Sequence, residues 1–291
     1  MIQYIHKGDF DMEKTKCFRE ATDKSYSYAH RITSNPISAP SYYPHVHYGV
    51  EIYILLQGKV DYIIEGNTYS LSQFDILIMN ENELHNPRLT DNTEYERIVI
   101  NILPDFFEMY GINDYKKIFT DKKPGRDNLI KSYLVHSEGL YEILQKIEKY
   151  IKESTPENDM IVRSSIIELL HILNKTSINS EHAEKKNTAI TKIVSYINKN
   201  ISQPLTLESV SQKFYISKYH LCRIFKEHMG MTFNRYITAK RIALVRHLCN
   251  EGMNISEAAT SAGFGNYSNF YKSYVSFTGH APKEDLKIKR Q

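Results

Sequence analysis

Three histidines and one glutamate hold the spacing in this chain best suited to chemistry. His45 and His47 are separated by one residue, Glu51 lies four beyond His47, and Gly58 follows after six more; His85 comes after the apolar run 75–79. In an extended chain alternate side chains share a face, so His45, His47 and Glu51 point the same way, and Tyr53 and Leu55 continue that face. Three imidazoles and a carboxylate aimed into one cavity can hold a divalent transition metal. They can equally form a polar pocket for a small effector, bounded by His45, His47, Glu51, Tyr53 and His85, with no metal required. A third use is structural, with His45 and His47 merely satisfied at the mouth of the fold. Tyr42, Tyr43 and Tyr48 nearby suit stacking on a sugar face, although tyrosine is also common in ordinary strands.

Strands must position that group. Residues 50–56, 59–64, 67–71, 75–79 and 95–103 are short β-rich runs, and Gln57-Gly58 and Glu65-Gly66-Asn67 are turn signals between them. Close spacing of this kind predicts an antiparallel sandwich or small barrel over about residues 41–103. From 139 to 174 the period changes: Leu140, Ile143, Leu144, Ile147 and Ile151 share one helical face, as do Val162, Ile166, Leu169, Leu170 and Leu173 after Pro156. Two amphipathic helices follow, placed either to cap the barrel's open end or to pair two copies of the chain. Residues 175–187 are polar and aperiodic, which predicts a linker.

The last hundred residues carry one pattern twice. Leu207, Val210 and Phe214 match Ile255, Ala258 and Ala262 at an offset of 48, whereas Leu221, Phe225 and Gly230 match Phe270, Tyr274 and Gly279 at an offset of 49. Each copy reads as helix, tight turn, second helix, with one residue added in the second turn. Thr206 is placed to cap the first copy, and Asn254 with Glu257 resembles a capping box for the second. Tyr236, Ile237, Leu244, Val245 and Leu248 mark a connecting helix that Gly252 stops. A helix-turn-helix presents the outer face of its second helix to base edges. That face comprises Lys218, Tyr219, His220, Arg223 and Lys226 in the first unit, and Asn266, Tyr267, Ser268, Asn269, Tyr271 and Lys272 in the second. Asn pairs with adenine and Arg with guanine, while Lys, Ser and Tyr more often touch phosphates.

Charge divides the same way. Residues 188–291 carry 15 Lys+Arg against 6 Asp+Glu, a net of +9, leaving 22 against 28 upstream, a net of −6. The carboxyl-terminal part is therefore drawn to a phosphate backbone and the amino-terminal part is not. Cys17, Cys222 and Cys249 form no CxxC pair and no metal-ligand spacing, as expected of a reduced cytoplasmic protein. No apolar run approaches the length needed to span a bilayer, so no membrane partner is expected.

Ser217-Lys-Tyr-His-Leu-Cys-Arg-Ile-Phe-Lys226 with Gly230-Met-Thr-Phe, Tyr236-Ile-Thr-Ala-Lys-Arg-Ile242 and Ala258-Ala-Thr-Ser-Ala-Gly-Phe264 to Gly279 together resemble the AraC/XylS family of bacterial transcription regulators, over about residues 188–288. Val245 departs from the family's usual Ala, and 282–285 lack its usual aromatic. The His-x-His-x3-Glu-x6-Gly spacing likewise resembles the first cupin motif, with His85 as the last histidine of the second. The resemblance implies an α+β chain of two domains. Residues 1–174 would be a cupin-like effector-sensing and dimerisation barrel, 175–187 a linker, and 188–291 an all-α DNA-binding domain with two helix-turn-helix units. It further implies a non-enzymatic, homodimeric regulator that binds promoter DNA and a small effector, often a sugar, and that can meet RNA polymerase. The first 30 or so residues would fold over the pocket as a lid. Two other readings remain open: a metal-dependent cupin enzyme with a nucleic-acid-binding tail, and an architectural DNA binder indifferent to small molecules.

Overall fold

A computed structural model describes residues 15–22, 25–38, 44–179 and 189–286. Strands β1 (Thr15–Thr22), β2 (Tyr26–Thr33), β3 (Val50–Gln57), β4 (Val60–Ile64), β5 (Asn67–Ser70), β6 (Ile76–Met79), β7 (His85–Leu89) and β8 (Tyr95–Ile102) come first. Short helices α1 (Pro104–Met109) and α2 (Lys117–Thr120), strand β9 (Leu129–Ile130) and helix α3 (Ser132–Val135) lead into α4 (Leu140–Tyr150) and α5 (Pro156–Asn179). The strands form a six-stranded sheet, β1-β2-β8-β3-β6-β9, and a three-stranded sheet, β5-β4-β7.

Both faces of β3 and β6, in the middle of the larger sheet, are buried, and strand alternation sorts the sheet's side chains between two cores. Val50, Ile52, Ile54, Ile76, Ile78, Ile98 and Ile100 pack outward onto α4 and α5. Tyr53, Leu55, Leu77, Met79 and Tyr95 turn inward to meet Val60, Tyr62 and Ile64 of the smaller sheet. Helices α4 and α5 thus use their apolar stripes to cover the outer face of the larger sheet, rather than capping the barrel's open end as expected.

The sheet starts earlier in the chain than the pattern at 41–103 suggests. Residues 15–22 and 26–33 are its two outermost strands, paired antiparallel to each other, with β2 continuing onto β8. β2 escapes a simple apolar/polar reading because Tyr26, Tyr28 and His30 occupy its buried positions. The part of the amino terminus that is described is therefore sheet rather than lid; residues 1–14 lie outside the described residues, as do Tyr42 and Tyr43. Helix α5 runs on to Asn179, so the first five residues of the expected linker are helical, and 180–187 lie outside the described residues.

The carboxyl-terminal part is helical: α6 (Ala189–Lys199), α7 (Leu207–Lys213), α8 (Lys218–Met229), α9 (Phe233–Asn250), α10 (Ile255–Ser261), α11 (Tyr267–Thr278) and α12 (Pro282–Asp285). Side-chain caps start each repeat helix. Thr206 accepts from Ser209 N in a reciprocal box, Ser217 from His220 N, Asn254 from Glu257 N and Asn266 from Asn269 N. Left-handed Gly230 and Gly279 end α8 and α11, as the offset of 49 requires. At 1.5 Å per residue, the 18 residues of α9 span about 27 Å. Phe233, Tyr236, Ile237, Ala239 and Ala243 of α9 sit in the core of the first unit, and Ile242, Val245 and Cys249 in that of the second.

Candidate functional site

The barrel-end cluster is assembled by backbone pairing. His45 and His85 face each other across an antiparallel bridge, each amide N–H donating to the other's carbonyl at 3.1 Å, while Glu51 is near the start of β3. Candidate ligand atoms of His47, Glu51 and His85 lie within 4.8 Å of one another. His45 stands beside them, its ring 4.5 Å from that of His85 and 6.1 Å from that of His47, outside this group of three. Tyr53 shares the face of Glu51 but its hydroxyl is bonded to that of Tyr95 at 2.8 Å. The Tyr62 ring lies nearly parallel to His85, 6.1 Å away.

One residue outside the motif orients the cluster. The Glu83 carbonyl accepts from His85 Nδ1 at 2.7 Å, which puts the proton on Nδ1 and leaves Nε2 a lone pair facing inward. The Glu83 carboxylate is itself fixed by Lys122 Nζ, Gly125 N and Asn128 Nδ2. A second sphere of this kind is what holds a ligating imidazole.

The cluster has unmet bonding capacity. His85 Nε2 and both nitrogens of His47 are buried without a hydrogen-bond partner. His47 Nε2 is only 2.8 Å from Glu51 Oε2, a close approach without the alignment of a hydrogen bond. Burial opposes ionisation of Glu51, but the His47 imidazole against it outweighs burial and holds the carboxyl at about 2. Burial, then the charge of His45, keeps His85 well below its ordinary value and therefore neutral. Two imidazoles, one of them oriented by the Glu83 carbonyl, and a carboxylate among them fit a divalent ion of the transition series.

The site adjoins the other domain. A cavity of about 10 Å³ opens beside His47, between Val46, Glu81 and the Ala243, Arg246 and His247 side of α9. That is room for a water or a single ion. Val46 and Leu84 of the barrel are part of the same apolar core as α6, α8 and the first half of α9. At the β4–β5 turn Glu65, 1% exposed, takes Lys240 Nζ and Leu84 N on Oε1 and Tyr236 Oη and Asn198 Nδ2 on Oε2, all within 2.9 Å. Burial opposes its charge, yet Lys240, Tyr236 and Asn198 prevail and hold the carboxyl below the ordinary 4.5. Gly66 next to it has φ +78, and a Cβ there would sit 3.0 Å from Met229 Sδ. Tyr236, Lys240, Ala243 and His247 recur at helical spacing on α9, forming one stripe that faces the barrel. Sequence reasoning missed Lys240, His247, Glu65 and Glu83; the stripe was the available signal, but nothing local pairs it with a turn some 175 residues away.

The outer face of the repeat is open. Lys218, Tyr219, Arg223 and Lys226 of α8 are exposed and His220 is half-buried. Arg223 is braced by Glu227 and by His220 Nδ1, and Lys218 by Glu208. Asn266, Ser268, Asn269, Tyr271 and Lys272 are exposed on the second unit. Tyr267, expected on the outer face, is instead half-buried against Phe270 at 5.8 Å, because it lies one turn before that core residue on the same face of α11. The Asn266 side-chain oxygen is spent on its cap, leaving its amide to donate. Cys222 is exposed on the same helix and was not among the expected residues.

Comparison with known proteins agrees with this division. Residues 30–170 match the family model described as an AraC-like ligand binding domain, and residues 210–288 a helix-turn-helix domain. The chain is 25% identical to the melibiose operon regulatory protein of Escherichia coli (strain K12) over 263 residues, 85% of this chain and 84% of that one. It is 22% identical to the HTH-type transcriptional activator RhaS of Enterobacter sp. (strain 638) over 245 residues, 82% of this chain and 86% of that one. Among solved structures, ToxT from Vibrio cholerae O395 aligns over 91% of this chain and 98% of its own at 17% identity, with a TM-score of 0.37.

Proposed function

As a member of the AraC family of transcription regulators, with an AraC-like ligand binding domain ahead of a helix-turn-helix domain, the chain is one in which we propose that a ligand held at the barrel end sets how the two helix-turn-helix units grip promoter DNA. The observation that carries this reading is the shared core: Val46, flanked by His45 and His47, is packed with α9 and the first unit. A change at the cluster therefore has a short mechanical path to the helix that separates the two DNA-reading units, and ligand binding shifts the balance between docked and released arrangements.

A hydroxylated effector of the sugar class is supported by the name of the melibiose regulator. A molecule of that size exceeds the cavity beside His47, so its binding at this end requires the seam to open, which ties occupancy to release of α9. The chain works without a catalytic step, and its relatives' names as regulators support this. Pairing of two copies through α4 and α5 is supported by Tyr141 and Met160, which stand exposed on those helices. Contact with RNA polymerase belongs to the same reading. Among the described residues no helix is long and apolar enough to cross a membrane.

Affinity for genomic fragments retained by the protein tests the DNA-reading half. Arg223→Ala weakens binding by about 1–3 kcal/mol if its contact is to a base, and Lys272→Ala lowers the salt slope by about 1 if its contact is to a phosphate. Unchanged affinity and slope in both variants would mean that another face meets the DNA.

A further inference from the structure

We propose that His47, Glu51 and His85 bind one divalent transition-metal ion, so that the ligand-sensing end of the barrel is a metal centre. This deepens the regulatory reading above and rests on it only for the consequence in DNA binding. His85 Nδ1 donates to the Glu83 carbonyl, which turns its Nε2, buried and without a hydrogen-bond partner, toward Glu51 Oε1 at 3.8 Å. That distance is too long for a hydrogen bond. Both atoms are buried and turned toward each other with no hydrogen bond between them, leaving a gap that one cation bonded to both would close. His47 adds a third donor atom: its Nε2 is 2.8 Å from the other Glu51 oxygen and has no aligned hydrogen-bond partner.

Donor chemistry selects the ion. Two imidazole nitrogens and one carboxylate suit Zn²⁺, Ni²⁺, Co²⁺ or Fe²⁺ over Mg²⁺ or Ca²⁺, which prefer oxygen. Bonds of about 2.0–2.2 Å to one ion require the three donor atoms, now within 4.8 Å of one another, to draw together slightly. The orienting shell is already in place, since the turn bearing His85 is pinned by Glu83 through Lys122 and Asn128. Three protein ligands leave further positions, and the ion-sized cavity toward Arg246 and His247 of α9 lies beside His47. Bound metal thus sits against the seam between barrel and DNA-binding domain.

The test uses chelator-stripped full-length chain titrated with Co²⁺, followed by visible absorption, with Zn²⁺ as competitor and metal content measured after dialysis. One Co²⁺ per chain is expected, displaced by Zn²⁺, with a rise in melting temperature. Glu51→Gln and His85→Ala should each weaken binding at least 10-fold, while His136→Ala on the exposed surface binds as wild type. Because His85 is buried, the half-buried His47→Asn serves as the variant least able to disturb folding, and it too should lose at least 10-fold. No uptake by the wild type, or equal uptake by wild type and all three cluster variants, overturns the proposal. If that happens while salt-sensitive DNA retention persists, only the metal assignment falls. Stoichiometric Co²⁺ lost in the variants, in a protein that ignores every duplex, upholds the metal site and removes the regulatory reading instead.

Discussion

Glu65 and Lys240 form a buried ion pair at 2.8 Å that joins the barrel to α9. Taking one member of such a pair away leaves the other charged and unpaired in a dry site, a loss that far exceeds that of a surface pair. Lys240→Met should therefore destabilise the full chain by about 3 kcal/mol, read as a shift in the denaturant midpoint. The sign of the pH effect follows from Glu65, whose folded value lies below its ordinary 4.5. Its contribution is complete above about 4.5 and is lost as pH falls through the folded value. In Lys240→Met, where burial is no longer offset by the ammonium, this acid-dependent loss should shrink, so the variant loses less stability than wild type as pH falls below about 4.5. A variant as stable as wild type, with an unshifted acid limb, would mean that the two domains do not depend on this pair.

At the level of elements, the two helix-turn-helix units differ in one instructive place. Gly263 after α10 has φ +93, and the equivalent Tyr215 after α7, 97% exposed, has φ +54. A side chain in the left-handed region costs about 1–2 kcal/mol, part of which glycine returns by enlarging the unfolded ensemble. Tyr215→Gly should raise stability by about 0.5 kcal/mol. Gly263→Ala should lower it by at least about 1 kcal/mol, from the φ penalty and because its Cβ would approach the Ser202 carbonyl oxygen to 2.9 Å. Chemical denaturation of both variants measures this, and equal effects of the same sign would rule out turn strain as the cause. Elements with local periodicity were legible in the sequence: the repeat, the caps at Thr206 and Asn254, the apolar stripes of α4 and α5, and the alternation that gathers His47 and Glu51. Strands β1 and β2 were not, because tyrosine and histidine fill the buried positions of β2. Neither was the docking stripe on α9, whose partner Glu65 is remote in sequence and whose Lys240 reads as a solvated charge until a carboxylate is brought to it.

Across the whole molecule, the barrel meets α6, α8 and α9 through one apolar core and one buried ionic network, yet the outer faces of α8 and α11 stay exposed. The barrel can therefore constrain the spacing of the two units without covering the faces proposed to read DNA. Because α9 spans about 27 Å and successive major-groove faces lie about 34 Å apart, two units held on one stiff helix can enter neighbouring grooves of the same duplex. Hydroxyl-radical footprinting of the full chain on a retained genomic fragment addresses this geometry directly. Two protected patches about 10 base pairs apart on one side of the duplex are expected, with Arg223→Ala weakening one and Lys272→Ala the other. A single patch, or both patches fading together in each variant, would show that the two units do not read adjacent grooves.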